Sequence, residues 1–556
     1  MARSPLFSLV RRSLQLASES VRRDVPADEI GQLERERSMI SRRRFVATTA
    51  TAAAAVALEG CGIRRLPAPI SGMEPVLIIG GGIAGLTAGY RLRQAGIPVR
   101  IIEAQQRSGG RMHSLRGFFA DGQVCELGGE LIDSNHQQVR ALATELGIEI
   151  DDLAGDDPAL DSDVWYFGGA RRSDREVVEA FTPIASRIRE DLATLGGDGS
   201  VGYREPNGGE ALDRMSIAEW LDRAGARGWI RDLLDVAYTT EYGLEIEQQS
   251  SLNLLLMIDP APEPFRIFGE SDERFHVRGG NDRIVRTLAD RLGDAIELDT
   301  RLEALSARPD GTFVCSLRRG ETSFDATAGH VLLAIPFTLL RDVRLNVDLP
   351  PVKRRAIAEL GYGTSAKLMV GFSQRAWRTA HRSNGSVLSD LPFQLCWETS
   401  RLQRGSSGIL TNFTGGAHGV ELGQGTAAEQ ASAFVQQLER PFAGVTATRA
   451  GMREVRAHWP SHPFTRGSYA SYLVGQWTGI SGAEGERVGR LLFAGEHCSL
   501  EAQGFMEGGC ETGQSAAAEI LRDLGVQRDA SRRTLLRSAM ARGSRGVRTR
   551  SMRALA

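Results

Sequence analysis

Val76-Leu77-Ile78-Ile79 runs directly into Gly80-Gly81-Gly82-Ile83-Ala84-Gly85 and then into Leu86-Thr87-Ala88-Gly89-Tyr90-Arg91-Leu92. No other feature of the chain restricts its fold as strongly. The first four residues are wholly apolar, as expected of a strand buried on both faces. The last seven read as a helix. Between them, Gly80 permits a tight turn, Gly82 lets the backbone approach a pyrophosphate, and Gly85 lets helix and strand pack closely. Unpaired N–H groups at the helix start face the anion. Val99-Arg100-Ile101-Ile102 supplies a second strand and ends at Glu103, whose carboxylate suits ribose hydroxyls and disfavours a 2′-phosphate. A bare G-x-G-x-x-G is weak evidence. With strand, helix, second strand and acid in order, it predicts a Rossmann-like βαβ unit that holds a dinucleotide.

Composition removes several alternatives. Among 556 residues, 42% are apolar and 24% charged, which is ordinary globular usage and argues against a multi-span membrane protein or global disorder. The 67 basic and 69 acidic side chains nearly cancel, so there is no whole-molecule field to steer the chain onto nucleic acid. Six scattered cysteines without a C-x-x-C pair argue against a disulfide framework and a zinc site, and no metal is expected. One count matters later: only Lys353 and Lys367 among the basic residues are lysine.

The segments after the βαβ unit are more specific. Arg107-Ser108-Gly109-Gly110-Arg111 follows Glu103 closely, and Glu126-Leu127-Gly128-Gly129-Glu130 comes next. On these residues the chain resembles the flavin-containing amine oxidase family, which includes monoamine oxidases, polyamine oxidases and L-amino acid oxidases. The resemblance implies bound FAD. Arg111, beside Gly110, would lie near the pyrophosphate, with Gly128 and Gly129 close to the flavin. It continues at Arg490 to His497, where Gly495 and Glu496 match the family's C-terminal FAD strand and the ribityl–phosphate contact. Gln503 to Gly513 matches the last flavin-binding helix, whose N-terminus around Met506 would point at the flavin's pyrimidine edge. Asp272-Glu273-Arg274-Phe275 and Gly279-Gly280-Asn281-Asp282 match the middle FAD segment. A strand from Ile296 to Leu302 would approach the adenine, and Val331 to Pro336 would close the segment.

Motifs recur from about residue 74 to about 522, which implies an interleaved α/β architecture. The Rossmann-like FAD-binding domain would be assembled from residues 73–145, 268–345 and 466–524, and an α+β substrate-binding domain from 146–267 and 346–465.

The expected chemistry centres on one lysine and two aromatics. Lys367 lies in the alternating strand Ala366 to Phe372, where the family places a lysine that holds a water at flavin N5. Arginine fills 65 of the 67 basic positions, so an indifferent surface site here would carry arginine. Lysine is a compact point charge and chemically distinct. Ser468 stands where monoamine oxidases carry the cysteine bonded to the flavin, so the FAD should be non-covalent. Tyr469 and Phe505 match the paired aromatic walls before the flavin, which exclude water and tolerate a cationic ligand. By resemblance, a neutral amine gives its α-hydride to flavin N5 and leaves an imine that water hydrolyses to a carbonyl compound and ammonia or a smaller amine. Oxygen or a quinone then reoxidises the flavin.

The substrate is less legible. An L-amino acid oxidase needs a cation, usually arginine, for the carboxylate, and Gly128-Gly129-Glu130-Leu131 offers none. An amine is favoured over an amino acid, with Glu130 able to attract a cationic group. An L-amino acid oxidase, dehydrogenase or tryptophan-monooxygenase-like enzyme is the alternative, with Arg116 as carboxylate partner. A flavin-binding redox partner without amine chemistry would need neither Lys367 nor the aromatic pair.

Both ends read as something other than fold. Ser41-Arg42-Arg43-Arg44-Phe45-Val46 followed by the alanine-rich stretch to Leu58 resembles a twin-arginine export signal over 39–62, which implies the twin-arginine translocase as partner and a periplasmic or extracytoplasmic location. Residues 1–38 form a mixed-charge extension, and Met39 is a second candidate start. Leu58-Glu59-Gly60-Cys61 is a poor lipobox, because Glu59 fills a slot usually small and uncharged; lipidation of Cys61 stays open. Residues 525–556 form a basic tail, with nine arginines against one aspartate after Gly525.

Overall fold

The computed structural model describes residues 66–526, apart from 198 and 450. The twin-arginine segment, Cys61 and residues 527–556 of the basic tail lie outside the described residues. Five strands build the first sheet: β1 (Val76–Ile79), β2 (Val99–Ile102), β3 (Ile296–Glu297), β4 (Val331–Leu333) and β5 (Leu491–Phe493). All pair in parallel, in the order β5–β4–β1–β2–β3. Every residue of β1 is buried: Val76 and Ile78 belong to the core shared with the helices, while Leu77 and Ile79 belong to the core that holds Leu305, Cys315 and Leu317 of a neighbouring sheet. The order reverses at β1, which opens a crevice at the carboxyl ends of β1 and β4 where α/β folds bind ligands.

Three helices cover this sheet: α1 (Ile83–Gln94), α2 (Asp282–Leu292) and α3 (Met506–Asp523). α1 packs on α2 and closely on α3, and a Cβ at Gly513 would sit 2.3 Å from the Ala84 carbonyl oxygen. Small residues at this crossing let segments some 400 positions apart share one core.

The expected single strand from Ile296 to Leu302 is corrected. Ile296–Glu297 finishes the parallel sheet, and Thr300–Ala307 starts a separate four-stranded sheet with Phe313–Arg319, Thr322–Ala328 and Arg344–Asn346. Asp299 breaks the run by adopting a left-handed backbone, φ 54°, which aspartate tolerates better than most residues.

The substrate-binding half is built on a seven-stranded sheet. Its order is Glu454–His458, Ala366–Phe372, Gly408–Thr414, Leu395–Glu398, Val387–Ser389, Val164–Phe167 and Ala170–Arg172. Ala366–Phe372 lies between two partners and is buried at every position. Leu368, Val370 and Phe372 pack with Phe434, Val435 and Leu438 of the helix Ala427–Leu438. By strand alternation Lys367 points the other way, toward the FAD-binding half. Among the described residues no helix is long and apolar enough to cross a membrane, and the five described cysteines are free.

Candidate active site

One cavity of about 1400 Å³ runs from the glycine turn to Tyr469 and Phe505. It exceeds the ~300–1,000 Å³ of ordinary small-molecule sites, so a large cofactor and a substrate fit together. The three glycines of the turn do different things. A Cβ at Gly80 would strike the Ala334 carbonyl oxygen at 2.3 Å, and one at Gly85 would strike the Gly80 oxygen at 2.0 Å. Those two hold the strand, turn and helix together. A Cβ at Gly82 meets nothing within 4 Å. Gly82 faces ligand space at the start of α1, which begins without a side-chain cap. That is the cradle a pyrophosphate requires, and the residues present fit FAD.

Glu103 closes the turn from the side. Its Oε2 accepts the Gly81 N–H at 2.7 Å and its Oε1 the Gln105 N–H at 2.8 Å, while burial pushes its carboxyl above the usual range. The carboxylate thus braces the phosphate turn as well as lining the cavity beside the ribose position. Gly110 approaches Gly82 directly: a Cβ there would lie 3.4 Å from the Gly82 Cα. Leu302 also lines the cavity, in the strand after Asp299.

Arg111 and Glu496 join the first and last FAD segments across 385 residues. Arg111 Nη1 donates to Glu496 Oε1 and to the Ser468 carbonyl, each at 2.8 Å. Glu496 also accepts the Gly504 N–H at 2.9 Å, and it follows Gly495, which lines the cavity too. Gly128 cannot be larger, since its Cβ would sit 1.8 Å from the Arg111 oxygen. Gly129 faces Met506, whose Cγ would lie 2.9 Å from a Cβ. Met506 opens α3, also without a side-chain cap, so that helix end directs its partial positive charge into the cavity.

Beneath the glycine pair sits Glu126, a residue missed in the sequence reading. It is fully buried and accepts from Ser114 Oγ at 2.7 Å and the Asn281 N–H at 2.9 Å; His276 Nε2 lies 3.1 Å away. Asn281 Nδ2 in turn reaches the Glu130 carbonyl at 2.6 Å. The middle FAD motif therefore supports the glycine loop from below.

Lys367 is 3% exposed, which excludes a solvent-facing surface lysine. Its Nζ donates to Glu130 Oε2 at 2.6 Å and to the Gly128 carbonyl at 3.0 Å, and it lies 5.2 Å from the centroid of the Trp397 ring. Glu130 Oε1 accepts from Trp397 Nε1 at 2.9 Å and Thr399 Oγ1 at 2.7 Å. This corrects one expectation: Glu130 is committed to Lys367 and is not a free anchor for a substrate cation. A second correction concerns Arg116. It pairs with Asp282 at 2.5 Å and with the Gly279 carbonyl, outside the cavity lining, because Asp282 at the first turn of α2 is the nearer anion.

Tyr469 and Phe505 both line the cavity. The Tyr469 hydroxyl donates to the Glu241 carbonyl at 2.6 Å, and burial pushes its phenol above the usual range. The Phe505 ring stands 5.0 Å from His136. Five acids also line the wall: Asp163, Glu241 and Glu270, which the sequence did not single out, and Asp272 and Glu273 of the segment matched to the middle FAD motif. Ser468 is buried, its Oγ donating to Ser365 Oγ at 3.1 Å.

Comparison with known proteins gives the family. The profile of flavin-containing amine oxidoreductases matches residues 83–521. An L-amino acid dehydrogenase from Synechocystis sp. is 25% identical over 82% of this chain and 96% of that protein. A putative flavin-containing monoamine oxidase from Mycobacterium tuberculosis is 26% identical over 80% of this chain and 96% of its own length. Among solved structures, cyclohexylamine oxidase from Brevibacterium oxydans superposes with a TM-score of 0.71 at 23% identity, covering 82% of this chain and 100% of that one. A putrescine oxidase variant gives 0.69 at 20% identity over 82% of this chain and 100% of its own. The two solved structures share the fold of this chain. The profile match spans most of the chain, and the chain belongs to the flavin-containing amine oxidoreductase family.

Proposed function

We propose that this chain oxidises a cationic amine at its α-carbon, using non-covalent FAD. One observation carries the substrate reading. Between residues 163 and 273 the cavity wall presents five acidic side chains (Asp163, Glu241, Glu270, Asp272 and Glu273) against one guanidinium, that of Arg266. Such a wall attracts an ammonium group and repels a carboxylate, and its several acids offer a partner to a second positive charge.

Bound FAD supplies the hydride acceptor. The chain's residues do the rest: Tyr469 and Phe505 exclude water and orient the amine, and Lys367 presents a fixed positive charge beside the glycine loop, at the place where the family holds a water at N5. Ser468 has no thiol to offer the flavin.

A second reading, an L-amino acid with a basic side chain, rests on Arg266. Its only ion pair among the described residues is with Asp259 at 3.9 Å, which leaves the guanidinium available to a carboxylate. Anaerobic mixing with a panel of amines, diamines and L-amino acids separates the two. Amines should bleach the flavin, diamines at lower concentration than monoamines of equal length. Bleaching by amino acids alone would replace the first reading with the second.

We also propose export through the twin-arginine route, on Arg42-Arg43 and the apolar stretch behind them. Arg42→Lys with Arg43→Lys should hold the flavin-loaded precursor in the cytoplasm. Unchanged export, read by fractionation, overturns this.

A further inference from the structure

An amine is oxidised through its nitrogen lone pair, so an ammonium arriving from water has to lose a proton inside the cavity. Several groups near the aromatic walls are candidates to take it. Lys367 is removed by its partner. Burial opposes ionisation of Glu130, yet Lys367, Trp397 and Thr399 together bring its carboxyl below the usual range. The pair is therefore a carboxylate facing an ammonium, with no place for another proton.

His136 is removed as well. Its Nδ1 already accepts the Asp133 N–H at 3.0 Å, its Nε2 lies 3.4 Å from Asp133 Oδ2, and burial drives the imidazole down to about 4. Asp133 is 2% exposed, and its Oδ1 accepts the Glu273 N–H at 2.7 Å. Tyr469 holds its proton and donates it to a backbone carbonyl.

Of the five acids in the cavity wall, Asp272 already accepts from the Ser134 N–H and hydroxyl and Asp163 from the Ser386 hydroxyl; Glu241 is the one whose backbone is tied to the aromatic wall at Tyr469, and Glu273 the one tied to Asp133. Glu241 is the inner one. It lies in the last turn of the helix Trp229–Tyr242, and its carbonyl receives the Tyr469 hydroxyl. Two residues on, the Gly243 carbonyl accepts the Thr364 N–H at 2.7 Å, three residues before Lys367. Glu273 is more exposed, on a loop residue of φ 45° beside Asp133.

We propose that Glu241 is the catalytic base. Its carboxylate takes a proton from the substrate ammonium, the N–H bond breaking as the O–H bond forms, and gives that proton up to water through the open cavity once the product has left. The proposal rests on the amine reading above. Electrostatics agree with it: burial first, then Asp133, raise Glu241 to about 7. A base titrating near working pH is effective because it is ionised yet still binds a proton well. The groups acting on Glu241 are Asp133 and Glu273, which disfavour its charge, and the phenols Tyr242 and Tyr469, which stay protonated.

Glu241→Gln in the FAD-loaded enzyme tests this. At neutral pH, anaerobic flavin reduction by a primary amine should slow by roughly 10²-fold or more. The deficit should shrink as pH approaches the amine's own ionisation, where the neutral amine arrives ready. Glu241→Asp should recover part of the neutral-pH rate. A readout independent of turnover uses an amine without an α-hydrogen. On its binding at mildly alkaline pH, the infrared difference spectrum of wild type should gain a protonated-carboxyl band that the Gln variant lacks. A reduction rate within threefold of wild type at neutral pH, or a deficit constant across pH, overturns the proposal.

The wild type supplies a check should the variants fold poorly. Its kcat/KM should rise with pH on a limb that stays in place when amines of different basicity are compared. A limb that follows the amine overturns Glu241 as base. Wild-type flavin bleached by no amine and no amino acid overturns the substrate reading together with it.

Discussion

Gly82→Glu yields a folded protein without its yellow colour. The backbone at Gly82 has φ −77° and ψ −177°, which any L-residue adopts, and a Cβ there meets no neighbour within 4 Å. The substitution therefore leaves the packing of β1 on α1 intact, whereas a side chain at Gly80 or Gly85 would collide with backbone. What it fills is the space of the pyrophosphate. A carboxylate about 4 Å from a phosphate charge costs about 4 kcal/mol at an effective dielectric of ~20, roughly a thousandfold in Kd before any steric clash is counted. Circular dichroism should match the wild type while the flavin-to-protein ratio falls to near zero. Gly82→Ala should lose much less. Wild type, for its part, should release all its FAD on acid precipitation, since Ser468 cannot form a thioether. A Gly82→Glu protein with normal flavin content would mean that the phosphate turn lies elsewhere.

Lys367→Met keeps its FAD and loses its rate. Methionine preserves the length of the stem but removes the charge and the donors beside the glycine loop. A fixed, desolvated charge of this kind is worth roughly 10²–10³-fold in rate when charge develops nearby. Stopped-flow traces assign the loss: slower reoxidation alone marks an oxidase that uses the lysine for oxygen, and slower reduction alone points to the amine half-reaction and a quinone acceptor.

The structure adds a second effect. Removing Lys367 leaves Glu130 buried and uncompensated, a situation that costs about 3–5 kcal/mol. Thermal stability should fall with the rate. Adding Glu130→Gln should restore the stability, because an amide oxygen still accepts from Trp397 and Thr399, and should not restore the rate. A single variant equal to wild type in both half-reactions would leave Lys367 with no part in the chemistry.

The glycine turn, with its strand, helix and second strand, was legible in the sequence, and the reason is local. A phosphate turn needs particular residues at adjacent positions, so its requirements are written in one continuous stretch. Lys367 stood out through composition, but that signal was not specific. Lys353 is buried too, its Nζ donating to the Glu484 carbonyl at 2.7 Å and lying 3.9 Å from the Phe493 ring centroid, and it does not line the cavity.

Tertiary structure alone decided how charges are shared. Glu130 and Lys367 are 237 residues apart in sequence, and their pairing turned an expected substrate anchor into the lysine's counter-ion. Arg116 was taken by Asp282 in the same way. Asp133 and Glu241 come from two distant segments, and each reads in sequence as an ordinary solvated acid. Only the walls of a shared cavity desolvate them and place them against one another, and a carboxylate's proton affinity depends on that surrounding far more than on its neighbours along the chain.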